Sequence, residues 1–208
     1  MKIKVCGMRQ QANIEDLVQL NPDYLGFILY PGSKRVIGNQ IPAEILAIIP
    51  DRIQKVGVFV DEPFENLVDM FRNNHLDIIQ LHGNESPAHC ESLKKLNITI
   101  IKAFRITPDF NFATIKPFDN CCDYFLFDTA GALPGGTGMK FDWNKLDEYS
   151  GKIPFFLSGG IQQTDAEAIK SLTYPQFHGI DLNSRFEIEP GLKDIPKLKS
   201  FFNEIRTL

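Results

Sequence analysis

The amino-acid sequence predicts an α/β protein, a single-domain (β/α)₈ TIM barrel spanning residues 1–208. Three observations lead to this fold class. The chain has 208 residues, which is enough to bury one full hydrophobic core and is usual for one domain. Short apolar runs alternate with segments of helical periodicity, and there are eight such runs. Although barrels of this class usually take about 250 residues, eight compact units fit a small one.

The eight apolar runs are short and bounded by turn-forming residues, as expected of strands. They lie at residues 2–5, 24–29, 54–60, 78–81, 99–103, 124–127, 154–157 and 179–182. Most of these runs are apolar at nearly every position rather than at every second one. Such runs are typical of parallel strands whose two faces are both covered.

Helical periodicity fills the segments between the strands. The predicted helices are residues 12–20, 42–49, 63–73, 87–96, 142–149, 164–171 and 192–205, and residues 109–116 are the least regular segment. Pro42, Pro63 and Pro87 stand at the first turn of three of them, where proline is favoured. Residues 164–167 read Thr-Asp-Ala-Glu, the pattern of a capping box.

An open, doubly wound sheet is the structural rival of the barrel. It would be expected to carry a Gly-x-Gly-x-x-Gly turn after its first strand. The sequence at that point is Cys6-Gly7-Met8-Arg9-Gln10 instead. This difference favours the barrel.

Composition narrows the possible partners and the cellular location. The formal net charge is −4, and lysine and arginine do not cluster as in a nucleic-acid protein. No stretch approaches the ~18 apolar residues of a membrane span, and the start lacks a signal-peptide pattern. The four cysteines are sparse and the histidines show no paired ligand spacing. We expect a cytoplasmic protein with reduced thiols, no metal, and no nucleic-acid or membrane partner.

Two turns made of small or polar residues follow the last two predicted strands. They are Ser158-Gly159-Gly160 and Asn183-Ser184. Small residues let backbone N–H groups approach an anion closely, and the loops after strands seven and eight commonly hold phosphate in barrels. The sequence therefore predicts a phosphate site here, although either turn alone could simply reverse the chain.

A further glycine-rich segment, Gly135-Gly136-Thr137-Gly138, follows the sixth strand. It is long enough to form a loop that covers a bound ligand. We expect Gly136 and Gly138 to contact the phosphate.

Cys6 and Asp128 end the first and sixth predicted strands. Barrel active sites are built at the carboxyl ends of the strands. A thiol near backbone N–H groups can act as a base, and a carboxyl at the edge of apolar surroundings can stay protonated and donate a proton. The alternatives are a buried structural cysteine and an aspartate that caps a helix or pairs with a surface cation.

Four further polar residues follow predicted strands and are candidates for contacting a substrate: Arg35, Gln80, His82 and Asp181. A guanidinium can bind a carboxylate through two parallel hydrogen bonds, so Arg35 is the candidate for an acidic group. It could equally be a solvated loop charge. His82 could be structural as readily as substrate-binding.

The ordered motifs resemble those of the phosphoribosylanthranilate isomerase family of tryptophan biosynthesis along nearly the whole chain. The matching segments are Lys4-Val5-Cys6-Gly7, Gly26-Phe27, Pro31-Gly32-Ser33-Lys34-Arg35, Val56-Gly57-Val58-Phe59-Val60, Gln80-Leu81-His82-Gly83, Phe127-Asp128-Thr129, Gly135-Gly136-Thr137-Gly138, Phe141-Asp142-Trp143, Leu157-Ser158-Gly159-Gly160, Asp181-Leu182-Asn183-Ser184, Glu187 and Pro190-Gly191.

This resemblance implies an Amadori rearrangement of N-(5-phosphoribosyl)anthranilate to the corresponding 1-deoxyribulose 5-phosphate, without cofactor or metal. It implies that Asp128 protonates the furanose ring oxygen and that Cys6 removes the proton from C2′ of the resulting iminium. Arg35 would then bind the anthranilate carboxylate. The expected partner is this phosphorylated sugar-anthranilate, and the protein could be a monomer or a homodimer.

The sequence departs from the common family pattern at Arg9, at Arg185 and in the adjacent residues Met139 and Lys140. Arg185 stands where glycine commonly follows the serine of the phosphate loop. It would be strained if that position needs a positive φ, and otherwise its guanidinium could strengthen the anion site.

Two other functions remain open from the residues. Another phosphosugar barrel would use two aspartates, or strand-end histidines and carboxylates around an ion. A non-catalytic barrel would bind a phosphorylated metabolite and would have no need of Cys6 or Asp128.

Overall fold

Eight parallel strands close into a barrel in a computed structural model of the chain, which describes residues 1–129 and 141–207. Within those ranges the last strand pairs with the first, so the sheet has no edge. The predicted fold class is confirmed. The strands are β1 Lys2–Cys6, β2 Tyr24–Ile28, β3 Gln54–Phe59, β4 Ile78–Leu81, β5 Thr99–Ile106, β6 Tyr124–Thr129, β7 Phe155–Leu157 and β8 Phe177–Leu182.

Strands β5 and β6 extend further at their carboxyl ends than their apolar runs predict. In the register of β5 with β6, Arg105 pairs with Asp128 and Ile106 with Thr129. Pairing with the neighbouring strand therefore extends the sheet through polar residues that interrupt the apolar pattern. As a consequence Asp128 belongs to a strand, which rules out the alternative that it caps a helix.

The helices lie between the strands and after the last one. They are α1 Gln11–Val18, α2 Ala43–Ala47, α3 Phe64–Asn73, α4 Pro87–Lys94, α5 Ala166–Lys170 and α6 Ile195–Arg206. Pro42 and Pro63 precede α2 and α3 as N-cap residues, one position earlier than predicted, whereas Pro87 is the first residue of α4 behind the capping Ser86. No helix in the described part of the chain is long and apolar enough to cross a membrane.

Two segments predicted as α-helices are 3₁₀ turns. Trp143–Glu148 replaces the predicted helix 142–149, and Asp142 caps it by accepting a hydrogen bond from Asn144 N at 3.1 Å. Phe112–Phe118 replaces the weak segment 109–116 and contains Pro117, which has no N–H for an α-helical bond. Helical periodicity was present in both segments, but it does not distinguish the tighter turn.

Two other boundaries were predicted wrongly. The capping box assigned to residues 164–167 is displaced, because Asp165 accepts a hydrogen bond from Gln162 N at 2.8 Å and α5 starts only at Ala166. The predicted helix 192–205 begins with a strand, since a hairpin of β9 Glu187–Glu189 and β10 Leu192–Lys193 precedes α6. The turn residues of this hairpin are Pro190 and Gly191, the latter with φ +88°.

Apolar side chains form two separate buried clusters. The larger one lies between the strands and the surrounding helices and includes Phe125 and Phe127 of β6. Leu126, between them in sequence, belongs to the smaller cluster. Because successive side chains of a strand point to opposite faces, the smaller cluster fills the interior of the barrel. Its members are Tyr24, Val56, Ile78, Ile101, Ala103, Leu126 and Phe156.

Candidate active site

A cavity of about 740 Å³, counting space open to solvent, lies at the carboxyl ends of the barrel strands. Its lining comes from β1, β2, β3, β4, β6 and β8 and from the turns after β2, β3, β4, β7 and β8. The lining residues are Cys6, Ile28, Tyr30, Ser33, Arg35, Val58, Val60, Gln80, His82, Asp128, Ser158, Gly159, Gly160, Ile161, Asp181, Asn183, Ser184 and Arg185.

Every predicted site residue within the described ranges lines this one cavity. The sequence prediction that these polar strand ends meet is therefore supported by the geometry. Gly136 and Gly138 were also predicted to contact phosphate, and they lie outside the described residues, as do Met139 and Lys140.

Cys6 is the last residue of β1, and only 4% of its surface is exposed. It pairs across the sheet with Gly26 of β2, where an added Cβ would lie 2.7 Å from the Cys6 sulfur. Only glycine at that position leaves room for the thiol. Burial raises the pKa of Cys6, and Asp181 adds to the rise, while Lys4 and Lys193 oppose it. The resting sulfur is therefore a thiol, and its thiolate would be a strong base.

Asp128 enters the cavity from β6 beside the side chain of His82. Asp128 Oδ1 accepts a hydrogen bond from Thr129 N at 2.9 Å, and Oδ2 lies 3.3 Å from His82 Nε2 without hydrogen-bond alignment. Gln80 Nε2 is 3.0 Å from His82 Nδ1, so with this amide orientation neutral His82 carries its proton on Nε2, facing Asp128. His82 therefore presents an N–H group beside the Asp128 carboxylate.

Below the cavity, Lys4 and Asp181 form an ion pair inside the barrel. Lys4 Nζ donates to Asp181 Oδ2 at 2.9 Å, and the two side chains are 0% and 5% exposed. Burial lowers the pKa of Lys4, but Asp181 and Cys6 together raise it above its ordinary value. Burial raises the pKa of Asp181 as well, and the ammonium of Lys4 opposes that rise. The 2.9 Å contact supports an ammonium–carboxylate pair.

Three buried polar atoms at the cavity have no hydrogen-bond partner within the described residues: Gln80 Oε1, His82 Nε2 and Asp181 Oδ1. Buried polar atoms are rarely left unpaired, because their desolvation costs about 1–3 kcal/mol each. Two acceptors and one donor facing the same cavity match the needs of a ligand that carries several hydroxyl groups.

The turns after β7 and β8 both line the cavity. Gly159 and Gly160 have φ values of +89° and +67°, a left-handed conformation that glycine adopts without strain. Within the described ranges no hydrogen bond engages the N–H of Gly160 or Ser184. Asn183 contributes less by its side chain than expected, because its Oδ1 already accepts from Lys193 Nζ at 2.7 Å. Free N–H groups on both turns are suited to bind an anion.

Arg35 is held by a partner that the sequence analysis did not foresee. Its Nε and Nη2 donate to both carboxylate oxygens of Glu187 at 2.7–2.9 Å. Glu187 also accepts from Lys193 Nζ at 2.7 Å, and these contacts hold its pKa below the ordinary value despite its burial. Glu187 therefore occupies one edge of the Arg35 guanidinium, and the Nη1 side faces no partner within the described residues.

The two arginines that depart from the family pattern have different positions. Arg185 lines the cavity within the 3₁₀ turn Ser184–Phe186 and does not have a positive φ, so no strain arises from the missing glycine. Arg9 does not line the cavity. Its guanidinium donates to Lys34 O at 3.0 Å and its side chain packs against Gly191.

The remaining cysteines lie together away from the cavity. The sulfurs of Cys90, Cys121 and Cys122 are within 4.8 Å of one another, which their sequence spacing did not indicate. All three are buried and free, and Cys121 Sγ donates to Phe118 O at 3.5 Å. Burial raises the pKa of Cys121 to about 11. A hydrogen bond with Cys122 lowers the pKa of Cys90. All three side chains pack in the large core cluster.

Sequence reasoning missed the charged residues that support the site rather than face it. Lys4, Glu187 and Lys193 had been noted at most as parts of motifs or predicted elements. Alternation along β1 places Lys4 on the face of Cys6, and that was the one available signal. The contacts of Glu187 and Lys193 depend on a hairpin that the sequence did not reveal.

A closed (β/α)₈ barrel with a polar cavity at the carboxyl ends of its strands belongs to the class of barrel enzymes. Comparison with known proteins then identifies the family. A sequence model of the N-(5′phosphoribosyl)anthranilate (PRA) isomerases matches residues 3–204, and the chain belongs to this family.

Individual relatives match over their full length. The N-(5′-phosphoribosyl)anthranilate isomerase of Parabacteroides distasonis is 47% identical over 207 residues, covering 99% of this chain and 93% of that protein. The crystal structure of phosphoribosyl anthranilate isomerase from Thermus thermophilus has a TM-score of 0.88 at 26% identity, covering 99% and 98% of the two chains. A second isomerase structure, in complex with reduced 1-(o-carboxyphenylamino)-1-deoxyribulose 5-phosphate, has a TM-score of 0.80 at 27% identity over the whole of both chains.

Proposed function

We propose that this chain catalyses the Amadori rearrangement of N-(5-phosphoribosyl)anthranilate to 1-(2-carboxyphenylamino)-1-deoxyribulose 5-phosphate in tryptophan biosynthesis. The observation that carries the proposal is the convergence of Cys6, Asp128 and the glycine turns on one cavity of a family member. The related isomerase that binds a reduced product analogue supports the same substrate class.

Asp128 is the proposed general acid of the first step. A furanose ring oxygen is a poor leaving group unless it is protonated, and Asp128 would supply that proton as the C1′–O bond breaks. The electron pair on the anthranilate nitrogen then forms the iminium.

Cys6 is the proposed general base of the second step. The iminium acidifies the neighbouring C–H bond, and the Cys6 thiolate would remove the C2′ proton, leaving an enolamine. This intermediate tautomerises to the ketone. Both steps move protons between the substrate and weak acids or bases, so the proposed chemistry requires neither a metal nor a cofactor.

The remaining cavity residues would bind and orient the substrate. The N–H groups of Gly160 and Ser184 would hold the phosphate, with Gly159 and Ser158 shaping the same turn. Asp181 Oδ1 and Gln80 Oε1 would accept hydrogen bonds from sugar hydroxyls, because both atoms are buried and lack a partner.

Arg35 would bind the anthranilate carboxylate through its Nη1 side. Glu187 occupies the other edge of the guanidinium and fixes its orientation. A bound carboxylate and a fixed guanidinium would place the anthranilate ring near the β2 end of the cavity.

The proposal is tested by adding purified protein to enzymatically generated phosphoribosylanthranilate and following the loss of its fluorescence. We expect complete, protein-dependent conversion at catalytic protein concentrations. A protein that binds the substrate without converting it would refute the isomerase and support the alternative of a non-catalytic barrel. The cytoplasmic location and the choice between monomer and homodimer stay predictions.

A further inference from the structure

The ion pair of Lys4 and Asp181 lies directly beneath Cys6. The proposed reaction does not require either residue to contact the reacting atoms of the substrate. We propose that this pair sets how readily Cys6 gives up its proton, with Lys4 promoting ionisation of the thiol and Asp181 opposing it. Both would be positioning residues for the base. The inference rests on the proposed function only in taking Cys6 as that base.

The geometry follows from strand register. Lys4 of β1 pairs with Asp181 of β8 across the closing seam of the barrel. Lys4 and Cys6 are two residues apart on one strand, so their side chains point to the same face, one layer above the other. The pair is at 2.9 Å and is almost fully buried, which leaves little solvent to screen its charges from the thiol.

Stability alone does not account for charges at this position. Apolar and aromatic side chains, among them Tyr24, Val56 and Phe156, form a cluster inside the barrel. A buried ion pair is often no more stabilising than apolar residues of the same volume. The pair also keeps Asp181 Oδ1 unpaired at the cavity, which a structural salt bridge would not need.

The charges acting on Cys6 have opposite signs. Burial raises the pKa of the thiol most strongly, the ammonium of Lys4 opposes this rise, and the carboxylate of Asp181 adds to it. Lys193 of β10 is a third charged group near the thiol and also favours the thiolate. Removing Lys4 or Asp181 must therefore change the ionisation of Cys6 in opposite directions.

The test measures the rate at which iodoacetamide alkylates Cys6 at pH 7, resolved from the other cysteines by mass spectrometry. Only the thiolate reacts, so the rate reports the ionised fraction. We expect Lys4→Met to lower the rate by about 10-fold or more, and Asp181→Asn to raise it by about 10-fold or more. The limb of the kcat/KM pH profile that reports Cys6 should move to higher pH in the first variant and to lower pH in the second.

A purely structural role for the pair predicts a different pattern. Loosening the barrel would expose the thiol to water and raise the alkylation rate in both variants. The inference is overturned if the alkylation rate of Cys6 changes in the same direction in both variants, or if it changes in neither of them. If Lys4→Met does not fold, the pH dependence of alkylation in the nearly isosteric Asp181→Asn decides. The proposal requires its midpoint to move to lower pH, and a midpoint that does not move contradicts the proposal even if the rate rises.

The chain offers a matched control in a second buried lysine–carboxylate pair. Lys102 Nζ lies 3.0 Å from Glu85 Oε2, with side chains 3% and 2% exposed, and neither residue lines the cavity. Lys102→Met should leave the alkylation rate of Cys6 within about 2-fold of the wild type, since charge effects weaken with distance. A change as large as that of Lys4→Met would show that any broken buried pair perturbs Cys6.

The two proposals fail separately. If the wild-type protein does not convert phosphoribosylanthranilate, but Lys4→Met and Asp181→Asn change the alkylation rate in opposite directions, the isomerase is refuted. The effect of the ion pair on Cys6 is then retained. Turnover by the wild-type protein, together with an unchanged alkylation rate in Asp181→Asn, would retain the isomerase and refute the ion-pair inference.

Discussion

At the scale of single residues, Cys6 and Asp128 reach one cavity from the ends of β1 and β6. Their surroundings differ. Cys6 is almost fully buried above the Lys4–Asp181 pair, whereas Asp128 is partly open and lies beside His82. Two titratable groups in contrasting environments are the usual arrangement for an acid and a base that act on one substrate.

Gly159 is the residue whose replacement should most clearly disturb Asp128. An added Cβ would lie 2.7 Å from Asp128 Oδ1 and 2.5 Å from Thr129 N. The backbone of Gly159 also has a φ of +89°, which is unfavourable for any other residue. We expect Gly159→Ala to cost about 1–3 kcal/mol of stability and to lower kcat by more than about 10-fold. Thermal unfolding and the fluorescence assay measure the two effects.

Gly38 is the matched control for this substitution. It has a φ of +109°, but an added Cβ would approach only Gln40 O, at 3.9 Å. Gly38→Ala should therefore lose stability through its backbone and keep kcat within about 2-fold. Equal losses of kcat in both variants would show that strain, not the displacement of Asp128, lowers activity.

The sequence was informative about residues that face the cavity and less so about those that support it. Cys6, Asp128 and Asp181 end or nearly end strands, so their positions follow from counting along apolar runs. The engagement of Arg35 by Glu187 could not be predicted, because it joins residues 152 positions apart through a hairpin without an apolar signal. The roles of Cys6 and Asp128 came from the family resemblance rather than from periodicity.

At the scale of elements, the hairpin of β9 and β10 connects the loop after β2 with the turn after β8 and with α1. Glu187 of β9 binds Arg35, and Lys193 of β10 binds Asn183 in the turn after β8. Asn13 of α1 adds two hydrogen bonds to the backbone of Lys193, at 2.8 and 2.9 Å. The phosphate turn and the proposed carboxylate site are thereby held by one short element.

Glu187 gives this element a predictable dependence of stability on pH. Burial raises the pKa of Glu187, but Arg35 and Lys193 lower it more, to below its ordinary 4.5. A carboxyl with a depressed folded-state pKa adds stability above its unfolded pKa, and this contribution is lost as the pH falls through the folded value. We expect Glu187→Gln to unfold with a weaker dependence on pH below about 4.5, measured by urea unfolding at several pH values.

A matched comparison is provided by Glu148, an exposed partner of Lys145 at 2.7 Å. Glu148→Gln should leave the acid dependence of unfolding nearly unchanged, because exposed ion pairs contribute little. If Glu187→Gln keeps the full acid dependence of the wild type, its carboxylate does not stabilise the hairpin as described.

The elements themselves were predicted with uneven success. All eight barrel strands were located, since buried parallel strands are nearly continuous apolar runs. Two 3₁₀ turns were taken for α-helices because both conformations place apolar residues three or four positions apart. The hairpin was missed because its strands have only three and two residues, which is too short for an alternating pattern to be recognised.

At the scale of the whole molecule, a complete barrel fits in 208 residues because its connections are short. Helices α2 and α5 have five residues each, and two further connections contain 3₁₀ turns in place of helices. Pairing of β1 with β8 joins the first and last units of the barrel in one sheet. This closure supports the proposal that residues 1–208 form a single domain.

A ligand bound by the turns after β7 and β8 should stabilise the entire fold. The proposed phosphate site combines turns after β7 and β8, so an anion bound there favours the folded chain by mass action. We expect inorganic phosphate to raise the Tm, with about 2.7 kcal/mol of stabilisation at 100 times its Kd. Sodium chloride at equal ionic strength is the control, and an equal rise in both salts would contradict a phosphate site.

The account depends most on Cys6 and Asp128, and the most direct test is the turnover of phosphoribosylanthranilate by Cys6→Ser and Asp128→Asn. Each variant should lose about 10²-fold or more in kcat while its circular dichroism spectrum and Tm remain close to those of the wild type. Cys122→Ser, at a buried thiol outside the cavity, should keep its kcat. Near-normal turnover by either Cys6→Ser or Asp128→Asn would contradict the assignment of base and acid.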